Sequence, residues 1–256
     1  MKLLLMADSA VGSKIYDFLA SNFQEDLTVI GVMREDAPLA GTAKAAGFPV
    51  IVYQSSKQFS HDLLSGGFAD KLSLGVLAWW PKIIRPQAFQ IPFLNFHPSL
   101  LPHNRGKNPN FWALVEQVPF GVTLHLIDEG VDTGPIVAQR KIDYDWTDTG
   151  ESLYRRAIVE IVELFQQTYP HIRRQYTQSR MITAIAQPEG GSFHRAAELE
   201  PASTIDLDAT YTARDLLNRL RGRTFPGYPG CSFVENGRRY EVRIEITTTP
   251  ADDAGD

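Results

Sequence analysis

Alternation of short apolar runs with helical stretches through the first two-thirds of the chain predicts an α/β fold: a Rossmann-like, mainly parallel sheet flanked by helices. Two observations support this. At 256 residues and 43% hydrophobic, the chain is long enough for one large domain plus a small appendage. The early apolar runs are short and uninterrupted, as strands covered on both faces are. A third feature sets the C-terminal end apart. Asn236-Gly237, a strong turn dipeptide between two short runs, predicts an appended β-hairpin.

The elements follow in order. Lys2–Met6, Thr28–Met33, Pro49–Tyr53, Leu72–Ala78 and Pro92–His97 read as buried strands. Between them Val11–Asn22, Ala40–Ala46, Ser56–Leu64 and Ile83–Gln90 read as helices. Asn108–Glu116 reads as another, with Pro109 suited to a first turn. Gly121–Ile127 and Pro135–Tyr144 are strands around an Asp- and Gly-rich turn. Thr149–Gln166 is an amphipathic helix, with Ile158, Ile161, Val162 and Phe165 at helical spacing. Gln187–Pro201 reads as an irregular connector and Asp215–Arg221 as a helix, followed by a Pro- and Gly-rich turn. The hairpin takes Cys231–Val234 and Arg239–Ile246. The division expected is a catalytic domain over 1–185, a connector with a small subdomain over 186–246, and a disordered polar tail over 247–256.

Composition narrows the function classes. Lys and Arg total 25 against 30 Asp and Glu, a net charge of −5, which argues against a general nucleic-acid binder. The segment Tyr211–Ile246 is a local exception, with seven Arg against four acidic residues, a net of +3. Cys231 is the only cysteine, so neither an internal disulfide nor a cysteine-based zinc site can form, and it reads as apolar filler. The first residues are too short an apolar run for a signal peptide, and no run spans a bilayer. A cytoplasmic protein without membrane association is expected.

The chemistry concentrates between Phe93 and Asp132. In an extended strand Asn95 and His97 project to one side, Leu94 and Phe96 to the other. Pro98 cannot donate to a ladder, so the strand should stop there and leave amide and imidazole at its C-terminal end. Open parallel sheets place ligands at such ends. The following turn supplies Asp132. A donor amide, a group titrating near neutrality and a carboxylate suit acyl transfer. On spacing alone, catalytic and structural readings of His97 stand level. Ala7-Asp8-Ser9-Ala10-Val11-Gly12 lacks the three-glycine dinucleotide fingerprint and reads first as a tight turn. A helix begins there, so Ser9 and Gly12 are candidates to meet a substrate phosphate.

The run Asn95-Phe96-His97-Pro98-Ser99-Leu100-Leu101-Pro102, then Arg105-Gly106, Gly121-Val122-Thr123-Leu124-His125 and Asp132-Thr133-Gly134, resembles the 10-formyltetrahydrofolate-dependent formyltransferases. That family includes methionyl-tRNA formyltransferase and the N-formyltransferases of nucleotide-linked amino sugars. The resemblance runs in pattern from Lys2 to Lys141 and resumes at Arg221–Gly230. Pro98 is a departure, standing where several relatives carry Gly; it stiffens the strand exit without removing a donor.

The resemblance implies the formyltransferase fold, Asn95, His97 and Asp132 as the catalytic set, and 10-formyltetrahydrofolate as formyl donor. It implies a folate site at Leu77, Ala78 and Trp79 with Leu126, Ile127, Asp128 and Val131. Trp79 and Trp80 flank the ring system or simply wall the core. Arg105, Lys107, Asn110 and Trp112 are candidates to line the acceptor's entrance, and no metal is expected. About 50 residues follow Pro201, too few for the large basic domain that tRNA-formylating relatives append. The acceptor expected is therefore a nucleotide-linked amino sugar rather than a nucleic acid, with a homodimer as the assembly. A tRNA acceptor and a non-catalytic binding module are the alternatives.

Overall fold

The computed structural model describes residues 1–249. The chain runs β1 (Leu3–Ala7), α1 (Ser9–Asn22), β2 (Leu27–Val32), α2 (Pro38–Ala45), β3 (Val50–Val52), α3 (Ser56–Ser65), β4 (Leu74–Ala78) and β5 (Phe93–His97). It continues through β6 (Arg105–Gly106), α4 (Pro109–Glu116), β7 (Phe120–Leu126), β8 (Ile136–Ile142) and α5 (Gly150–Ser179). The C-terminal part holds β9 (Phe193–His194), α6 (Leu199–Ser203), α7 (Ala213–Gly222), β10 (Cys231–Glu235) and β11 (Arg238–Val242).

Seven strands form one sheet in the order β3-β2-β1-β4-β5-β7-β8. Pairing is parallel from β3 to β5 and antiparallel from β5 through β7 to β8. All five residues of β1 are buried, and its alternation divides the core. Leu3, Leu5 and Ala7 join one cluster with α1 and α5, whereas Leu4 and Met6 meet Phe59, Trp80 and Phe93 on the other side. Trp80 is thus a core wall, the plainer of its two readings.

The expected helix over Ile83–Gln90 reduces to a single turn at Pro86–Ala88. Residues ahead of proline avoid the helical region, and Arg85 is extended at φ −94°, ψ 103°. Conversely, α5 runs thirteen residues beyond its expected end at Gln166, continuing through Pro170. Tertiary anchoring explains this. Tyr169 and Ile172 are buried, and Asp26, only 1% exposed, accepts from Tyr169 Oη at 2.7 Å and from Arg173 Nε at 2.6 Å. The connector is less irregular than expected, since it contains β9 and the first part of α6. The hairpin turns through Asn236 and Gly237 at φ 48° and 72°, as expected, although β11 ends at Val242 rather than Ile246. Thr247–Thr249 have no regular structure, and the rest of the expected tail lies outside the described residues.

Candidate active site

Strand β5 ends at His97, where Pro98 stops the ladder. Its register sets Asn95 level with Leu77 of β4 and opposite His125 of β7, with His97 opposite Thr123. Asp132 arrives from the turn between β7 and β8. Asp128 Oδ1 accepts from Gly130 N at 3.0 Å and Thr133 Oγ1 at 2.6 Å, folding that turn. Asp132 itself is left-handed at φ 54°. A Cβ at Gly134 would lie 1.8 Å from the Leu126 carbonyl oxygen, so the close return of the chain requires glycine. Gln187 Nε2, from the connector, donates to the carbonyls of Asp132 and Gly134, both at 2.8 Å.

These elements bring the three expected residues together. Asp132 Oδ2 lies 3.4 Å from His97 Nδ1 and accepts from Gly106 N at 2.9 Å. Asp132 Oδ1 accepts from Asn95 Nδ2 at 3.3 Å and lies 3.5 Å from His125 Nε2. Asn95 Nδ2 is also 3.1 Å from His125 Nε2. Hydrogen-bond roles follow from the acceptors. His97 Nε2 lies 3.1 Å from the Asn104 carbonyl, which can only accept, so Nε2 carries the proton. His125 Nδ1 lies 2.9 Å from the Leu126 carbonyl and must likewise donate. In its neutral Nε2–H form His97 turns the Nδ1 lone pair toward Asp132 and can take up a proton there.

Burial of His97, 4% exposed, lowers its pKa from the ordinary value, and the nearby Asp132 opposes that shift. Burial alone would raise the Asp132 carboxyl. His97, His125 and the Gly106 amide together outweigh it and hold Asp132 well below the usual carboxylate range. The site thus pairs a fixed anion with a neutral imidazole, able to take up a proton beside it.

The expected folate residues divide between strand ends and turn. Leu77 and Ala78 end β4 and are buried, whereas Trp79 follows at φ 58° with its ring edge-on to Tyr154, 5.8 Å between centroids. Leu126 and Ile127 are half-buried at the end of β7; Asp128 and Val131 are exposed on the turn.

Four of the six expected acceptor contacts are engaged within the protein. A Cβ at Gly12 would lie 2.9 Å from Ala7 Cβ, so glycine lets α1 pack closely on β1. Asn110 Nδ2 donates to the Gly150 carbonyl at 2.8 Å, tying α4 to the start of α5. Trp112 is 8% exposed and covered by His194, stacked at 3.7 Å and 8°. Arg105 turns its guanidinium toward the carbonyls of Ser192 and Gly190. Ser9 and Lys107 remain exposed, Ser9 at φ 62° where α1 begins. His125, Asn104 and Gln187 received no role from the sequence. His125 was the legible one of the three, a lone imidazole within an apolar strand placed opposite Asn95.

An open depression of about 620 Å³ lies elsewhere, between Thr147, Thr149 and Glu151 on one side and Thr224 and Ile244–Thr248 on the other. Among the described residues no helix is long and apolar enough to cross a membrane.

Residues 14–169 match the formyl transferase family, and residues 198–248 match the N-formyltransferase dimerization C-terminal domain. The dTDP-4-amino-4,6-dideoxyglucose formyltransferase of Mycobacterium tuberculosis is 32% identical over 154 residues, 60% of this chain and 64% of that protein. The chain thus matches less than two thirds of that relative's length. A 4-N formyltransferase from Francisella tularensis shares the fold at a TM-score of 0.77, with 21% identity over 97% of this chain and 98% of that one. The formyltransferase PseJ from Anoxybacillus kamchatkensis, solved with UDP-4,6-dideoxy-4-formamido-L-AltNAc and tetrahydrofolate, is 27% identical at a TM-score of 0.52, covering 78% and 89% of the two chains. This chain belongs to the formyl transferase family.

Proposed function

We propose that the protein transfers a formyl group from 10-formyltetrahydrofolate to the amino group of a nucleotide-linked amino sugar. The observation that carries this reading is the meeting of Asn95, His97 and Asp132 at the end of β5, within 3.3–3.4 Å of one another through Asp132. The substrates named for the relatives, a dTDP-linked amino sugar and a UDP-linked formamido sugar with tetrahydrofolate, indicate the acceptor and donor classes.

The amine nitrogen attacks the formyl carbon, and negative charge collects on the formyl oxygen of a tetrahedral adduct. Asn95 Nδ2 donates to that oxygen; its 3.3 Å contact with Asp132 is the longer of its two and the one a substrate oxygen replaces. His97 Nδ1 takes the proton the amine sheds and returns it to the folate nitrogen as the carbon–nitrogen bond to folate breaks. Asp132 stabilises the imidazolium formed in between. Leu77, Ala78, Trp79, Leu126, Ile127, Asp128 and Val131 surround the folate ring, and Ser9, Lys107 and the backbone of Arg105 border the acceptor. A row of rings leads from Trp79 through Tyr154 and Phe225 to Tyr228, 61% exposed, and offers stacking faces for a nucleotide base. The protein divides into a catalytic unit over 1–185 and a small C-terminal unit over 186–246, a reading supported by the family matches over 14–169 and 198–248. The match to a dimerization domain supports a homodimer formed through the C-terminal segment.

The test incubates the protein with 10-formyltetrahydrofolate and a panel of dTDP- and UDP-linked amino sugars, with methionyl-tRNA alongside, and reads formyl gain by mass spectrometry. Formylation of a sugar amine is expected. Transfer to methionyl-tRNA alone, or to nothing, overturns the reading.

A further inference from the structure

The carbonyl that holds His97 is itself held by a polar network that the catalytic cluster does not include. Asn104 is 1% exposed and left-handed at φ 52°, a conformation that a non-glycine residue keeps only when its surroundings impose it. Three hydrogen bonds do so. Asn104 N donates to Ser192 Oγ at 3.1 Å, and Asn104 Nδ2 donates to Glu116 Oε2 at 2.7 Å and to Ser192 Oγ at 3.1 Å. Ser192 Oγ in turn donates to Glu116 Oε2 at 2.7 Å, and His194 Nε2 lies 2.7 Å from Glu116 Oε1.

Glu116 is the last residue of α4, where the helix dipole disfavours an anion. Three donors converging on its carboxylate account for an acid in that position. Strand β9 keeps them in register: Arg105 N donates to the Ser192 carbonyl at 3.0 Å, and Lys107 N to the His194 carbonyl at 2.9 Å. Gly106 lies between them at φ 91°, and a Cβ there would lie 2.2 Å from the His194 oxygen. The same short stretch thus fixes the Gly106 amide on Asp132 and the Asn104 carbonyl on His97.

We propose that Glu116 is a positioning residue: with Ser192 and His194 it fixes the Asn104 carbonyl, and through it keeps the His97 proton on Nε2 and the lone pair of Nδ1 toward Asp132. Only the kinetic arm of the test rests on the formyl-transfer reading. The full-length protein is labelled with ring-¹⁵N histidine, and the His97 signals are identified by their loss in His97→Gln. Wild type is expected to show a single Nε2–H tautomer. In Glu116→Gln and Ser192→Ala the tautomers mix, kcat falls about tenfold, and KM for both substrates changes less than about twofold. Thermal midpoints stay close to wild type. Unchanged His97 signals in the variants overturn the proposal whether or not kcat moves, because the residues are then merely structural. If Glu116→Gln fails to fold, Ser192→Ala decides on the same terms. Should wild type transfer no formyl group at all, the functional reading fails while the tautomer signals still decide this one.

Discussion

Replacing Asp132 by Asn removes one negative charge and leaves a side chain of nearly the same shape. In the folded protein that carboxylate stands 3.4 Å from His97 Nδ1 with 13% of its side chain exposed. At an effective dielectric near 20, a unit charge at that distance stabilises an imidazolium by about 5 kcal/mol. The amide dipole of Asn and penetrating water recover part of this, leaving a loss of roughly 3–4 kcal/mol. At 1.36 kcal/mol per decade, kcat should fall about 10²- to 10³-fold. The pH profile supplies a second readout. Wild-type activity falls as the pH drops through the His97 pKa, which burial lowers and Asp132 raises. Removing the anion lowers that pKa further, so the acid limb of kcat/KM moves to lower pH. Steady-state kinetics from pH 4 to 8 read both effects. The fold contributes a third, with its sign set by linkage. The folded Asp132 pKa is depressed, so its contribution is present above the ordinary value of 3.8 and lost as pH falls through the folded value. The deficit in thermal stability of Asp132→Asn is therefore expected at pH 7 and shrinks below about pH 4. An acid limb that stays in place or moves to higher pH, with turnover within threefold of wild type, refutes the reasoning.

Three further outcomes follow from packing. Gly134→Ala pushes a Cβ into the Leu126 carbonyl, so chemical denaturation should show a loss of about 1–3 kcal/mol together with reduced turnover, since Asp132 shares that turn. Arg173→Ala leaves the buried Asp26 carboxylate with Tyr169 Oη and the chain's N-terminal amine, 3.6 Å from Oδ1. Arg173 is itself 36% exposed, which limits the cost to about 1–3 kcal/mol at pH 7, measured by thermal melting. If the proposed homodimer forms through the hairpin, Tyr240, 42% exposed and stacked on Phe233, lies in its interface. Tyr240→Asp is then expected to shift sedimentation from dimer to monomer, and an unchanged species would place the interface elsewhere.

Most of the sheet was legible because its strands are apolar, short and bounded by helices. The five early strands appear within two residues of their expected ends. Where local pattern and tertiary contact disagree, the pattern fails. Pro86 falls inside the expected helix over Ile83–Gln90, keeps Arg85 extended and leaves a single turn at Pro86–Ala88. Local apolar spacing ends α5 at Gln166, but Tyr169 and Arg173, bonded to buried Asp26, carry it on through Pro170. The site shows the same division. Asn95, His97 and Asp132 could be placed because strand alternation, a terminating proline and a glycine-bounded turn set them locally. The residues that support them come from a distance: Gln187 is 55 positions from Asp132, and Ser192 is 88 from Asn104. Asn110 and Trp112 are candidates for the acceptor's entrance in the sequence, but helix spacing could not show that His194 would stack on Trp112.

Formyl transfer by His97→Gln tests the account most directly. Glutamine keeps a donor toward the Asn104 carbonyl and removes the basic nitrogen beside Asp132. The expected result is a fall in kcat of about 10²-fold or more with thermal stability and tetrahydrofolate binding close to wild type. Turnover near wild type in that variant would contradict the account, since another group would then be accepting the amine's proton.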